Sequence, residues 1–419
     1  MTRAGDEPVR SARSGGASRG VTLEELGRTP NALAPHYAHF RVSERLLLTG
    51  HSHQAWPDVG LEAQRRAWLD AAEYVDEKWD RVFEKWNRVC AGFAELLGDA
   101  EGDVTLGANT HELIVRFLSA LPLAERRRIV TTDAEFHSIR RQLDRLAEEG
   151  VEVVKVPGYP ADRAAARAAE AVDGRTACVM ISAVFFERGH IVPGLSRVAE
   201  ACRLHGAALL VDAYHALGVV PFRLSEQGLE DAFVVGGGYK YLQLGEGNCF
   251  LRTPPGCAMR PVVTGWFSEF AELAGGHGPG EVRYGEGPAR FAGSTFDGTS
   301  QYRAAAVMDF FRARGLTADL LREVSLHQVG VLADAFDHLD LDPAVVRRVA
   351  SVPPEGRGGF LALRSPDAGR LSRGLRARGV RTDFRGAFLR FGPAPYLSDA
   401  QLRDAMAALA EVVNAPAAR

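Results

Sequence analysis

Near the middle of the chain an acid and a lysine stand at the ends of two short apolar runs. Residues 207–211 lead into Asp212, with His215 three positions on, and residues 232–235 lead through three glycines into Tyr239 and Lys240. Apolar runs of this length, bounded by glycine and polar residues, read as strands buried on both faces of a parallel sheet. Open α/β sheets bind ligands at the carboxyl ends of their strands, where both charges fall. A lysine held among apolar groups gives up its proton more easily and can form a Schiff base with an aldehyde. A carboxylate set against a pyridine nitrogen keeps that nitrogen protonated, so that the ring becomes an electron sink. Both are what pyridoxal 5'-phosphate (PLP) needs from a protein. Either residue alone would read as a turn cap or a solvated charge; the glycines beside Lys240 and the segments below favour the cofactor.

Residues 211–222 (VDAYHALGVVPF) and 236–247 (GGGYKYLQLGEG) resemble the class V aminotransferase family of fold-type I PLP enzymes, most closely its kynureninase branch. That branch carries an Asp-x-x-His strand end, then Tyr-Lys-Tyr-Leu-Asn and Gly-Pro-Gly. This chain keeps Tyr239-Lys240-Tyr241-Leu242 but has Gln243 for Asn and Gly245-Glu246-Gly247 for Gly-Pro-Gly. The resemblance implies that Lys240 forms the Schiff base and then serves as base or acid at the substrate α-carbon. It implies that Asp212 keeps the ring nitrogen protonated, with His215 supporting its orientation and Tyr239 beside the cofactor.

Other segments follow in the family's order. The turn Gly107-Ala108-Asn109-Thr110-His111-Glu112 opens an apolar helix face; such a turn offers backbone N–H groups and a positive dipole end to an anion. Asn109 and Glu112 would equally form a capping-box-like pair with no ligand. The resemblance implies that Asn109 and Thr110 cradle the phosphate. It places Phe136 on the pyridine ring, with His137 as second choice. Trp266 matches the family's Gly-Trp segment, whose indole reaches the phosphate. Thr299 matches the Phe-x-Gly-Thr segment that reaches the phosphate of a neighbouring subunit. Arg390 sits in a segment like the kynureninase ending and would take the substrate carboxylate, a role suited to a guanidinium fork. Ser52 and His53 fall in the opening loop that borders the substrate. Arg188 stands where kynureninases carry a hydroxyl residue, and should alter substrate contacts. His51-Ser52-His53 lacks an apparent third ligand, so no metal is expected.

The elements that must hold these residues are strands at 128–132, 151–156 and 177–184, separated by helical sequence rich in alanine and arginine. Residues 61–97 read as one helix whose apolar face is Val75, Trp79, Val82, Trp86, Val89 and Phe93, stopped at Gly98. Gly275 to Gly287 reads as a mobile loop. Residues 302–313 read as the helix leading into a C-terminal domain of alternating helices and short strands. The expected division is a disordered tail over 1–20, an arm with the substrate loop over 21–60, a large PLP-binding domain over 61–305 and a small α/β domain over 306–419. The fold class is α/β, a fold-type I large domain with a mostly parallel sheet.

Composition agrees with an ordinary globular enzyme: 419 residues, 46% apolar, 25% charged, net charge −3. No broad basic surface argues for nucleic acid, and no apolar span reaches membrane length. The N-terminus has no apolar core for secretion. Five cysteines without metal spacing read as free thiols, which points to the cytoplasm. The resemblance implies a homodimer with shared active sites acting on an amino acid through an external aldimine. Kynureninase-like side-chain cleavage, by C–C hydrolysis or β-lysis, is the favoured reaction. A class V aminotransferase with a keto-acid acceptor is the alternative, and a non-catalytic PLP-binding module a minor one. Gln243, Arg188 and Thr299 argue against kynurenine itself as substrate. Desulfurases of the family need a cysteine shortly before the carboxylate-binding arginine, and none lies between Cys257 and Arg390.

Overall fold

The computed structural model describes residues 20–99, 103–275, 278–349 and 352–415. The tail expected over 1–20 lies outside them apart from Gly20. Seven strands build the central sheet: β1 (Val104–Gly107), β2 (Arg128–Thr132), β3 (Glu152–Val156), β4 (Thr176–Ser182), β5 (Ala208–Asp212), β6 (Phe233–Gly237) and β7 (Cys249–Arg252). Their order is β1-β7-β6-β5-β4-β2-β3, with β7 antiparallel to both neighbours and the other pairs parallel. Every residue of β4 is buried, as a central parallel strand requires.

From β2 the chain winds outward to β3, whereas β4, β5 and β6 wind in the opposite sense. The loops after β2 and β4 therefore part at a switch point, the place where α/β sheets bind ligands. Phe136, Ser182, Asp212 and Lys240 all lie on or just after the C-terminal ends of these strands.

A second, antiparallel sheet follows, made of β8 (Arg347–Arg348), β9 (Leu361–Arg364), β10 (Asp383–Arg385) and β11 (Phe388–Phe391) in the order β8-β9-β11-β10. The N-terminal arm joins the two parts of the molecule. Its strand Leu46–Leu47 pairs with Val380–Arg381, and the fully buried Tyr37 donates its hydroxyl proton to Gln243.

The single helix expected over 61–97 is two. Helix α1 (Val59–Tyr74) ends at Val75, whose φ of 51° and ψ of −99° break the spiral, and α2 (Lys78–Leu97) begins after it. Val75 is 67% exposed and so leaves the expected stripe, whereas Val82, Val89 and Phe93 are buried. Gly98 closes α2 in the left-handed region at φ 61°, as its position suggested. Helices α3 (Thr110–Ser119) and α4 (His137–Glu148) follow β1 and β2, and α5 (Leu195–His205) follows β4. Helix α6 (Thr299–Ala313) begins three residues before the expected start, and α7 (Ala318–Asp337) succeeds it.

Candidate active site

Three consecutive glycines carry the chain from β6 to Lys240. A Cβ on Gly237 would lie 2.5 Å from the Tyr214 hydroxyl and 2.6 Å from Cys249 Sγ. On Gly238 it would sit inside the Leu244 side chain. Close approach, not positive φ, is what requires glycine here. Beyond them, Gln54 of the arm donates its amide to the Lys240 carbonyl and fixes the backbone. Lys240 is 5% exposed, with Nζ 2.8 Å from His215 Nε2 and 4.4 Å from the centre of the Tyr214 ring. Burial pushes its ammonium down to about 7, although Asp212 opposes the shift. His215 is held neutral by burial and by the Lys240 charge, so its ring accepts rather than competes for the lysine proton.

Asp212 ends β5, where its Oδ1 accepts the Tyr214 N–H at 2.8 Å. Desolvation raises its carboxyl above the usual range, so a cation brought against it is welcome. Ser182 ends β4 in register with Asp212. Its hydroxyl and backbone N–H both donate to buried Glu135, which also accepts the Thr132 hydroxyl at 2.7 Å. Burial lifts the Glu135 carboxyl to about 7.

A cavity of about 320 Å3 opens over these groups, lined by Ala108, Asn109, Thr110, His111, Phe136, Ser182, Phe186, Asp212, His215, Tyr239 and Lys240 among others. Helix α3 points its N-terminus at it. Asn109 Oδ1 caps the Glu112 N–H at 3.0 Å and Asn109 Nδ2 reaches back to Glu112 Oε1 at 3.0 Å. The capping reading therefore holds, and the first-turn N–H groups ahead of Glu112 stay available to an anion. Phe136 lines the cavity 5.3 Å from Lys240 Nζ; His137 is not among the lining residues.

The other expected residues fall outside this wall. Arg390 is 2% exposed, with Nε donating to Asp383 Oδ1 at 2.8 Å, Nη2 to Asp383 Oδ2 and Nη1 to the carbonyl of Phe186. Two of its five N–H bonds remain unspent. His51 is fully buried and donates to Asp383 at 2.7 Å; desolvation pushes its imidazole down to about 4. His53 is exposed and stacks on Tyr239, ring centres 5.1 Å apart, with Ser52 3.2 Å from its Nδ1. Arg188 lies between the Tyr159 and Phe388 rings, 3.9 and 4.8 Å from their centres. Thr299 lines a neighbouring cavity of about 600 Å3, which shares Ala108, Glu246 and Gly247 with the first. Trp266 is 44% exposed among Phe267 and Phe270.

Ser182, Glu135 and Gln54 were not singled out in the sequence. Ser182 carried a usable signal, since it ends a buried strand beside the one that ends in Asp212. Glu135 and Gln54 act across 47 and 186 residues of chain, and nothing local marks them.

A buried lysine and a half-buried acid at the strand ends of a mostly parallel α/β unit, with a smaller C-terminal unit, are the arrangement of the fold-type I PLP-dependent enzymes. The sequence profile "Aminotransferase class-V" matches residues 104–322, more than half of the chain, and "Kynureninase C-terminal domain" matches 321–409. The chain belongs to the class V aminotransferase family, and its cofactor is PLP. It is 27% identical to the kynureninase of Burkholderia pseudomallei, over 92% of this chain and 94% of that one. It is 22% identical to the uncharacterized aminotransferase YcbU of Bacillus subtilis, over 81% and 87%. Among solved structures it resembles a lysine-to-alanine mutant of C-DES with glycine linked to the PLP cofactor, with TM-score 0.78, 18% identity, and 90% of this chain and 98% of that one covered. It also resembles a cysteine desulfurase from Thermococcus onnurineus, with TM-score 0.73, 16% identity and 88% and 95% covered.

The residues present fit the cofactor. Asp212 is a half-buried carboxylate whose raised proton affinity a pyridinium would relieve. The α3 terminus suits a phosphate, and His215 Nδ1 is a buried atom with no hydrogen-bond partner.

Proposed function

We propose that this enzyme cleaves the side chain of a small amino acid, as a kynureninase-like lyase or hydrolase. Bound against Asp212, PLP supplies an electron sink for charge released at the substrate α-carbon. The chain's own residues do the rest. Lys240, half unprotonated near neutrality, attaches the cofactor and then holds or returns the proton of the α-carbon. His215 receives a lysine hydrogen bond and stays neutral. Asp212 would keep the ring nitrogen protonated and Phe136 would lie against the ring, with Ser182 beside Asp212 on the cavity wall. Asn109, Thr110 and the α3 N–H groups would hold the phosphate, with Tyr239 on the same cavity wall. Arg390 offers its two unspent N–H bonds to the substrate carboxylate, and Ser52 and His53 border the entrance. Arg188, packed on Tyr159 and Phe388, stands outside the cavity lining and would bear on substrate only from a distance. The large unit is taken as 61–305 and the small one as 306–419.

The observation that carries the reading is the kynureninase-like C-terminal segment, which supplies Asp383 and Arg390 next to a lysine of depressed basicity. A class V aminotransferase is the second reading, favoured by the likeness to YcbU. Turnover separates them. Supplied with its amino acid and no keto acid, a side-chain-cleaving enzyme turns over many times and releases alanine or pyruvate. One turnover followed by accumulation of pyridoxamine phosphate would decide for transamination.

We also propose a homodimer with shared sites. Val262, Trp266 and Phe270 are 82%, 44% and 50% exposed beside the larger cavity that Thr299 lines. Apolar surface of that kind marks an interface. Thr299 and Trp266 would then reach the neighbouring subunit's phosphate. Among the described residues no helix is long and apolar enough to cross a membrane.

A further inference from the structure

Glu135 is a buried acid that the proposed function leaves without a task. It follows the end of β2 and is 2% exposed. Its carboxyl group takes three hydrogen bonds: from the Ser182 N–H at 3.2 Å, from the Ser182 hydroxyl, and from the Thr132 hydroxyl at 2.7 Å. The Ser182 N–H can only donate. Thr132 Oγ1 already accepts the Ala134 N–H at 3.2 Å, which leaves its own hydrogen for Glu135. Three donors favour the anion. Yet among the described residues no lysine or arginine forms an ion pair with it, although buried charges are ordinarily paired. Asp133 is turned away onto the Gly158 N–H, and His137 lies against the Phe136 and Phe186 rings. The charge that bears on Glu135 is Asp212, another acid.

Strand register explains that contact. Ser182 and Asp212 are partners at the C-terminal ends of neighbouring parallel strands, about 4.8 Å apart. Both line the Lys240 cavity, so Glu135 stands behind the wall at the corner that Asp212 occupies. Lys240, the cation of this cavity, bears on Asp212. A second cation brought against Asp212 would meet the charge of Glu135 as well. Burial lifts the Glu135 carboxyl to about 7 and Asp212 adds to the rise, so the same cation would favour its ionised form. The Ser182 hydroxyl, spent on Glu135, turns its hydrogen away from the cavity and leaves an oxygen lone pair on the wall.

We propose that Glu135 is a positioning residue for the cofactor, an anion behind Ser182 that works with Asp212 to keep the ring nitrogen of PLP protonated. The inference rests on PLP bound against Asp212 and adds a second charge to that site.

The test reads the ring nitrogen itself, by 15N NMR of protein loaded with ring-labelled PLP and titrated with pH. Glu135→Gln keeps the shape and removes the charge. It should lower the midpoint for loss of the ring proton by at least one pH unit, a tenfold change and the scale of one nearby charge in a protein interior. Glu135→Asp, which keeps the charge, should shift the midpoint less than half as far. Ser182→Ala takes one donor from Glu135, which then protonates more readily, and should lower the midpoint by at least half a unit; it carries the test if Glu135→Gln does not fold. Circular dichroism and borohydride-fixed PLP report that each variant is folded and loaded, and a merely structural Glu135 would change those readings alone. An unmoved midpoint in Glu135→Gln or Ser182→Ala, or a shift in Glu135→Asp as large as in Glu135→Gln, would overturn the assignment while leaving Asp212 in place. A wild-type ring nitrogen without its proton at neutral pH would instead sink the role of Asp212, and this inference with it.

Discussion

In the proposed reaction Lys240 is the deciding group, and its state at neutral pH follows from burial. With an ammonium pushed down to about 7, the amine is free over a range where an exposed lysine is fully protonated. Only the unprotonated amine attacks an aldehyde. Attachment of PLP to apo-protein should therefore quicken as pH rises through about 7 and level off above it. A rate still climbing toward pH 10 would mean a solvated lysine and would refute the buried one. Borohydride reduction followed by digestion should place the label on Lys240; a label elsewhere would remove the assignment. This residue and Asp212 were legible in the sequence because chemistry and strand ends coincide there. Their supports were not. The carbonyl of Lys240 is held by Gln54, and Ser182 is held by Glu135, both through contacts between segments remote in the chain. Arg390 was legible as a motif, but its pairing with Asp383 across the β10–β11 hairpin needed the register.

Among the elements, the strands were the most readable and the first long helix the least. Buried parallel strands announce themselves as apolar runs, and residues 128–132 were placed without error. The break at Val75 has neither glycine nor proline to mark it. A β-branched residue at positive φ is strained by roughly 1–2 kcal/mol, because its Cβ crowds the carbonyl. The strain persists because α1 and α2 both pack against α6, and the chain must turn between them. Val75→Gly should relieve it, with some of the gain offset by the freer unfolded chain. A rise in unfolding free energy of about 0.5–1 kcal/mol in urea is expected, with cofactor binding unchanged. A loss of stability would show that the Val75 side chain packs usefully despite its exposure.

At the scale of the whole molecule, the fold builds the site from three directions. The arm supplies Gln54, the central sheet Asp212 and Lys240, and the C-terminal sheet Asp383 and Arg390. A fourth direction is open, where the cavity lined by Thr299 meets the one lined by Lys240 beside exposed Trp266 and Phe270. Trp79, Phe83, Phe267, Phe270 and Phe296 form a continuous set of ring contacts behind that opening, with centroids 5.4–6.5 Å apart. Such a surface excludes water well when covered and invites association when bare. A double variant, Trp266→Ser with Phe270→Ser, trims two side chains that are 44% and 50% exposed and leaves Trp79, Phe83, Phe267 and Phe296 in place. It should elute as a monomer on a sizing column and hold PLP at least tenfold more weakly, because the phosphate would lose the neighbour's contribution. Circular dichroism matching wild type would exclude misfolding as the cause. A monomeric variant with undiminished cofactor affinity would show that each site is complete within one chain, and the shared-site picture would fall.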